Sequence, residues 1–272
     1  MQLKKKKLII NSMKNIIKLI CFIFLSLIFL SQNIFAEEEK KLLNTDWSFK
    51  GYFGKFDRAS LQRGYQVYTE VCASCHSMKY LSYRNLTEEG GPEFSKEQAK
   101  AIAANFEVTD GPNDDGDMFV RPAKLSDKFV NPYQNDKEAM ASNGGAYPPD
   151  MSVLVKARSG GADYIYSLLL GYEDPPSNVI LDDGVYYNKY MYGNMIRMPN
   201  PLSDGLIEYN DGTEATEEQM AKDLVTFLAW AAEPHLEARH KIGFKAIVYL
   251  IILSILAYFS MKRLWLRVEP EV

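Results

Sequence analysis

Two cysteines and a histidine form the segment of this sequence whose spacing points most directly to chemistry. Cys72-Ala73-Ser74-Cys75-His76 puts two thiols three positions apart and an imidazole directly after the second thiol. Thioether bonds to both thiols can fix a haem, and the adjoining imidazole is then placed to bind its iron. A thioredoxin-like dithiol and a zinc site are the alternatives, but no second cysteine pair exists to complete four zinc ligands. The motif therefore predicts one covalently bound haem c.

The second axial ligand decides whether such a haem carries electrons or reacts with small molecules. Methionine is the leading candidate, because His/Met ligation gives a higher reduction potential than ligation by two histidines. Three methionines, Met191, Met195 and Met198, lie in one segment, and spacing alone does not choose among them. His235 and His240 are rival ligands, but their position just before an apolar segment favours a role at the membrane interface. An open sixth position would instead indicate a haem enzyme or sensor.

Both ends of the chain have the pattern of membrane-targeting segments. Residues 1–36 combine a basic start, an apolar run from Leu19 to Leu30 and a final small residue, Ala36. This pattern predicts a signal peptide cleaved after Ala36, with an uncleaved N-terminal anchor as the alternative. Residues 242–261 form an apolar segment long enough to cross a hydrocarbon core of about 30 Å. They predict one transmembrane anchor.

This topology divides the chain into an exported domain and a short tail. An exported N-terminus followed by one span puts residues 37–241 in the periplasm of a bacterial inner (cytoplasmic) membrane and residues 262–272 in the cytoplasm. Six of the 31 basic residues lie in the leader and four beyond Lys241, whereas two of the 35 acidic residues lie in the tail. The exported domain therefore has a net charge of about −12, which favours a basic protein partner and argues against nucleic acid.

Apolar periodicity predicts three helices in the exported domain. The first covers residues 58–71, with the haem motif at its end, and another covers residues 163–171. The third begins at a capping box over residues 216–219 and continues to Pro234. We expect the first and third to pack against each other. Because strand alternation is not sustained and the connections are rich in Gly and Pro, the predicted fold is mainly α with long loops.

Ordered segments along the whole mature chain resemble the cytochrome c1 family. The matching segments are residues 47–49, 54–57, 61–68, 143–150, 157–164, 169–172, 198–202, 211–213 and 230–234, together with the haem motif. The resemblance implies a haem domain like that of class I c-type cytochromes, followed by a C-terminal transmembrane helix. It assigns roles to eight residues: haem attachment to Cys72 and Cys75, iron ligation to His76 and Met198, a propionate contact to Arg158, and pocket positions to Pro148, Pro149 and Tyr164.

The resemblance also implies a function and a set of partners. Such a protein accepts electrons from a Rieske iron-sulfur protein and passes them to a cytochrome c, within a cytochrome bc1 complex whose cytochrome b oxidises quinol. A free-standing, membrane-tethered cytochrome shuttle is the alternative. Seven acidic residues are candidates for guiding a basic electron acceptor: Glu88, Glu89, Asp110, Asp114, Asp115, Glu173 and Asp174.

Overall fold

Helices of very different length and two small sheets, connected by long loops, make up the part of the chain that the structure describes. The structure is a computed structural model that describes residues 40–268. In chain order its elements are α1 (Arg58–Glu70), α2 (Lys96–Ala104), β1 (Glu107–Asp110), β2 (Phe119–Pro122), α3 (Asp136–Ser142), α4 (Gly161–Leu169), β3 (Tyr186–Tyr187), β4 (Met195–Ile196), α5 (Glu217–Ala232) and α6 (Leu236–Val268), with short 3-10 turns at Cys72–Ser74, Tyr83–Thr87 and Tyr192–Asn194. The predicted mainly helical fold is confirmed.

The predicted pairing of the first and third sequence helices is present as a close contact between α1 and α5. Gly64 faces α5 so closely that a methyl group at its Cα would lie 2.0 Å from the carbonyl oxygen of Asp223. The Tyr65 and Phe227 rings meet edge to face, with their centroids 5.7 Å apart. Fully buried side chains such as Leu61 complete this interface. The contact holds the C-terminal end of α1, and therefore the haem motif, against the core.

A buried ion pair connects the same two helices. Asp223 is fully buried, and its carboxylate accepts hydrogen bonds from Arg63 Nε at 2.8 Å and Nη2 at 3.1 Å. Gln219 Nε2 donates to the same carboxylate at 2.9 Å, so that side chain is directed to Asp223. Of the capping box predicted over residues 216–219, the Thr216 half is present, because its hydroxyl accepts from the Gln219 N–H at 3.2 Å. The Gln219 side chain bonds Asp223 and does not complete the box. The burial of this charge is compensated by three donors.

The smaller elements differ in detail from the sequence expectation. Helix α4 begins at Gly161, two residues before its predicted start, after Gly160 in a left-handed conformation. The structure also contains α2 and α3, which were not predicted. Two antiparallel pairs, β1 with β2 and β3 with β4, have strands of four and two residues. The two-residue strands are too short to show an alternation of apolar and polar residues, and the sequences of the four-residue strands do not alternate strictly.

Helix α6 is the apolar segment at the C-terminal end of the described residues. Its most apolar stretch of 18 residues has a mean hydropathy of 2.2, and none of that stretch is buried, which fits a membrane-spanning helix. The predicted span at residues 242–261 lies inside α6. The bounds of the span within α6 stay a prediction. The proposed signal peptide, residues 1–36, lies outside the described residues.

The first turn of α6 is fixed to the haem domain by a second ion pair. Glu237 is 8% exposed, and its two carboxylate oxygens accept from Arg58 Nη1 at 2.7 Å and Nη2 at 3.0 Å. The backbone N–H of Phe56 donates to the same carboxylate at 3.0 Å. Only three residues separate α6 from α5. The membrane helix is therefore joined to the domain by a short connection and by a bidentate, mostly buried pair.

Candidate functional site

The Cys-x-x-Cys-His segment forms a tight turn directly after α1. The backbone N–H groups of Cys75 and His76 both donate to the Cys72 carbonyl, at 3.1 and 2.9 Å. Neither cysteine is in a disulfide. The Cys72 thiol is buried, and this burial raises its pKa to about 12. Redox-active dithiols have a thiol of lowered pKa, so this environment argues against the thioredoxin-like alternative.

The His76 imidazole is oriented by one hydrogen bond. Its Nδ1 lies 2.9 Å from the carbonyl oxygen of Pro149, which can only accept, so Nδ1 carries the proton and Nε2 keeps its lone pair. Burial lowers the pKa of this histidine, although the bond to Pro149 and the nearby Asp150 oppose that effect. Metal-binding histidines are commonly held in this way, neutral and with the second nitrogen bonded to a carbonyl. Two thiols and a correctly protonated imidazole fit a covalently attached haem.

The loop that carries Pro148 and Pro149 is attached to the segment after His76 by Asp150. Its carboxylate accepts hydrogen bonds from the Ser77 hydroxyl at 2.8 Å and from the backbone N–H groups of Lys79 and Ser152, both at 2.9 Å. Burial disfavours the charge on Asp150, but these bonds outweigh it and the pKa is lowered. Sequence reasoning missed this residue, because its partners on the Ser77 side lie more than 70 positions away.

Replacing Asp150 by asparagine is expected to lower the free energy of unfolding by about 1–3 kcal/mol at pH 7. The carboxylate accepts from three donors, and the NH2 group of asparagine cannot accept, so at least one of these hydrogen bonds would be lost. The stabilisation from a carboxylate of lowered pKa is present above the ordinary value near pH 4 and is lost as the pH falls through the lowered value. The difference between wild type and D150N should therefore shrink in acid. Guanidinium unfolding at pH 7 and pH 3 measures it, with exposed Asp114→Asn as the control.

The three methionines lie in different surroundings. Met195 is 50% exposed, and the sulfur of Met191 lies 3.7 Å from the Tyr164 hydroxyl. Met198 is half-buried, and the Tyr172 hydroxyl donates to its carbonyl oxygen at 3.0 Å, which fixes the backbone of this position. Tyr172 was not among the predicted site residues. Its place after α4, 26 positions before Met198, gives no sequence signal for this contact.

The remaining predicted residues are Pro148, which lies beside the haem-attachment turn, and Arg158 and Tyr164, which lie before α4 and at its start. Pro148 and Cys75 line one narrow cleft, together with Tyr147. Arg158 is exposed, and its guanidinium donates to the carbonyl oxygen of Ala157 at 3.1 Å. Burial raises the pKa of the Tyr164 hydroxyl, and the Arg158 charge opposes this effect. The structure thus joins His76, Pro149 and the cysteines directly, while the roles of all eight predicted residues toward a haem stay predictions.

A mainly helical domain, a Cys-x-x-Cys-His turn and a carbonyl-bonded histidine define a c-type cytochrome with a membrane helix. Residues 47–268 match the model of the Cytochrome C1 family. A cytochrome c1 of Rhodospirillum rubrum is 46% identical over 240 residues, which cover 82% of this chain and 87% of that protein. The chain belongs to the cytochrome c1 family, whose haem c serves electron transfer.

Relatives of different lengths share this similarity. A mitochondrial cytochrome c1 heme protein of Arabidopsis thaliana is 49% identical over 230 residues, which cover 85% of this chain and 74% of that protein. A protein named "Cytochrome b/c1" from Bradyrhizobium diazoefficiens is 49% identical over 238 residues. Those residues cover 80% of this chain but only 35% of that longer protein.

Proposed function

We propose that this chain is the haem subunit of a cytochrome b-c1 complex, in which it takes electrons from a Rieske iron-sulfur protein and delivers them to a cytochrome c. The observation that carries the proposal is the His76 imidazole, held by Pro149 inside a haem-attachment turn of a cytochrome c1 family member. A relative from Candida albicans, 48% identical over 225 residues, is named a catalytic subunit of the cytochrome b-c1 complex. Its name supports membership in such a complex.

The proposed division of labour leaves to this chain only the passage of single electrons. Cys72 and Cys75 would hold the haem covalently, with His76 and Met198 as the iron ligands, and the haem would supply the change between ferric and ferrous iron. Arg158 would pair with a propionate, for which a guanidinium has matching geometry. Pro148, Pro149 and Tyr164 would limit the access of water. Quinol oxidation would belong to cytochrome b.

The proposed location is the outer face of a bacterial inner membrane. The basic leader predicts export of the N-terminus, and the central part of α6 is apolar and exposed. With one span, the haem domain would face the periplasm, where a soluble cytochrome c can reach it. A short cytoplasmic tail would follow the span.

Purification through an affinity tag on the full-length chain, in mild detergent, tests the proposal. We expect cytochrome b and a Rieske protein to co-purify, and the preparation to reduce cytochrome c with quinol as the donor. A single c-type haem protein that emerges alone, with no such activity, would favour a tethered shuttle instead. The match to cytochrome c1 relatives along most of the chain favours the complex.

The structure separates the candidate docking acids into different regions. Glu89 forms an ion pair with Lys241 at the base of the membrane helix, with 3.0 Å between Oε1 and Nζ. Asp110 is paired with Arg121. Glu173 and Asp174 are exposed, and Glu173 contacts Lys189 with 3.5 Å between Oε2 and Nζ. Both directly follow Tyr172, whose hydroxyl donates to the carbonyl oxygen of Met198, the proposed haem ligand. These two are therefore the strongest candidates for attracting a basic cytochrome c.

The double variant Glu173→Gln/Asp174→Asn is expected to slow electron transfer to a basic cytochrome c several-fold at low ionic strength, because a local field guides charged partners. The effect should disappear at high salt, where screening acts over a few ångströms. Stopped-flow measurement of haem oxidation checks this. The control is Glu88→Gln/Glu89→Gln, which removes the same charge near the membrane helix. Equal effects in both variants would show that overall charge, and not this position, guides the partner.

A further inference from the structure

A cavity of about 260 Å³ lies where the membrane helix leaves the haem domain. One wall is the loop that contains Phe53 and Lys55, and the other is a face of α6. Lys241 and Lys245 are four positions apart on that helix and therefore lie on the same face. Phe244 lies between them in the sequence and also lines the cavity. The walls are thus mostly apolar, and Lys55, Lys241 and Lys245 are among the residues that line them.

The charges around this cavity leave a positive excess. Its lining carboxylate, Glu237, is already bonded to Arg58 and to the Phe56 N–H. Lys241 also contacts Glu89, but that carboxylate is 85% exposed, and such surface pairs contribute little and yield to competing anions. The lysines are therefore available to an anion that enters the cavity. Such an anion would meet donors without displacing a buried ion pair.

The predicted span at residues 242–261 would put the cavity at the depth where a bilayer presents its head groups. Helix α6 becomes fully exposed and apolar just beyond it. On the facing loop Tyr52 is 91% exposed and Phe53 is 74% exposed, and the Phe53 ring lies 6.0 Å from that of Phe244, centroid to centroid. Exposed aromatic residues beside a membrane span are typical of the interface between hydrocarbon and water, and lysines near the end of a span extend to the same level.

We propose that this cavity binds the phosphate of one anionic phospholipid from the leaflet on the haem-domain side. Lys55, Lys241 and Lys245 would bind the phosphate, and Phe53 and Phe244 would contact the glycerol and the first carbons of the acyl chains. Juxtamembrane lysines attract anionic head groups in this way. A partner helix fits less well, because an apolar face would bury three ammonium groups without acceptors. A bilayer supplies phosphates at this depth and apolar chains directly below.

Lipid counting on the purified protein tests the proposal. Wild type, Lys55→Gln/Lys245→Gln and the control Lys96→Gln/Lys100→Gln, which removes two exposed lysines from α2, are purified at full length with their haem and any associated subunits. Phosphatidylglycerol per haem c is then measured by mass spectrometry. We expect wild type and control to retain about one more phosphatidylglycerol per haem than the cavity variant, with unchanged haem spectra in all three. Equal retention in all three would overturn the proposal.

A second experiment identifies the source of the phosphate. Delipidated wild type is titrated with dioctanoyl-phosphatidylglycerol, dioctanoyl-phosphatidylcholine and inorganic phosphate, with bound ligand detected by native mass spectrometry. We expect dioctanoyl-phosphatidylglycerol to bind on the order of tenfold more tightly than dioctanoyl-phosphatidylcholine. This preference should be present only in proteins with an intact cavity. If inorganic phosphate binds as tightly as phosphatidylglycerol, the proposal is overturned. It is also overturned if the cavity variant loses an associated subunit while its phosphatidylglycerol count per haem stays unchanged. Neither readout depends on electron-transfer activity.

Discussion

Replacement of Gly64 by alanine is expected to lower the free energy of unfolding by about 3 kcal/mol or more, at the upper end of what overpacking costs. The added methyl group would lie 2.0 Å from the carbonyl oxygen of Asp223 and 2.8 Å from Cβ of Phe227. The first of these atoms is backbone and cannot rotate away. Helices α1 and α5 would have to separate, which would also weaken the buried contact between Arg63 and Asp223.

Gly243→Ala is the matched control for this prediction. Gly243 lies in α6, and a methyl group added there would meet no atom within 4 Å. Alanine gains about 1 kcal/mol over glycine in helix propensity, and G64A receives the same gain. Comparison of the two variants by guanidinium unfolding of the detergent-solubilised protein, followed by circular dichroism, therefore isolates the steric conflict. An unfolding midpoint for G64A equal to that of the control would contradict the close packing of α1 against α5.

Replacement of Met198 by leucine is expected to open the sixth coordination position and to abolish electron delivery to cytochrome c. Leucine matches methionine in volume but has no sulfur to bind iron, so the fold should persist while the ligand is lost. The reduced protein should then become sensitive to carbon monoxide. Its reduction potential should fall on the order of 0.1 V or more, within the roughly 0.8 V range that axial ligands span. Absorbance spectroscopy with and without carbon monoxide, and redox titration, measure both effects.

The other two methionines of the segment supply the controls. Met195→Leu changes a half-exposed side chain, and Met191→Leu removes a sulfur that contacts the Tyr164 hydroxyl. Both variants should keep a spectrum that carbon monoxide does not change. Sensitivity that arises in M195L or M191L, while M198L stays insensitive, would assign the ligand to a different methionine.

The parts of the fold that were predictable from sequence are those set by neighbouring residues. The haem turn follows from five consecutive residues, and α5 was located by the cap that Thr216 provides. Helix α2 has an equally local signal, because Ser95 and Gln98 form a complete capping box. This helix was therefore predictable from neighbouring residues as well.

Other features depend on residues far apart in the chain and were beyond local patterns. Asp150 meets its partners across more than 70 positions, and Arg58 meets Glu237 across 179. A carboxylate in a loop has the same local pattern whether it is solvated or holds two segments together. Only the folded chain brings its donors within reach, which is why these charged residues could not be distinguished from surface ones.

The ion pair between Arg58 and Glu237 holds the haem domain in a fixed orientation relative to α6. With three connecting residues and a bidentate buried contact, the domain cannot change its height or tilt much without breaking that contact. A haem domain held in this way does not move between an electron donor and an electron acceptor. In the proposed function, the motion that links electron donor to acceptor would then be made by the partners, each of which would approach a haem whose position is set by α6.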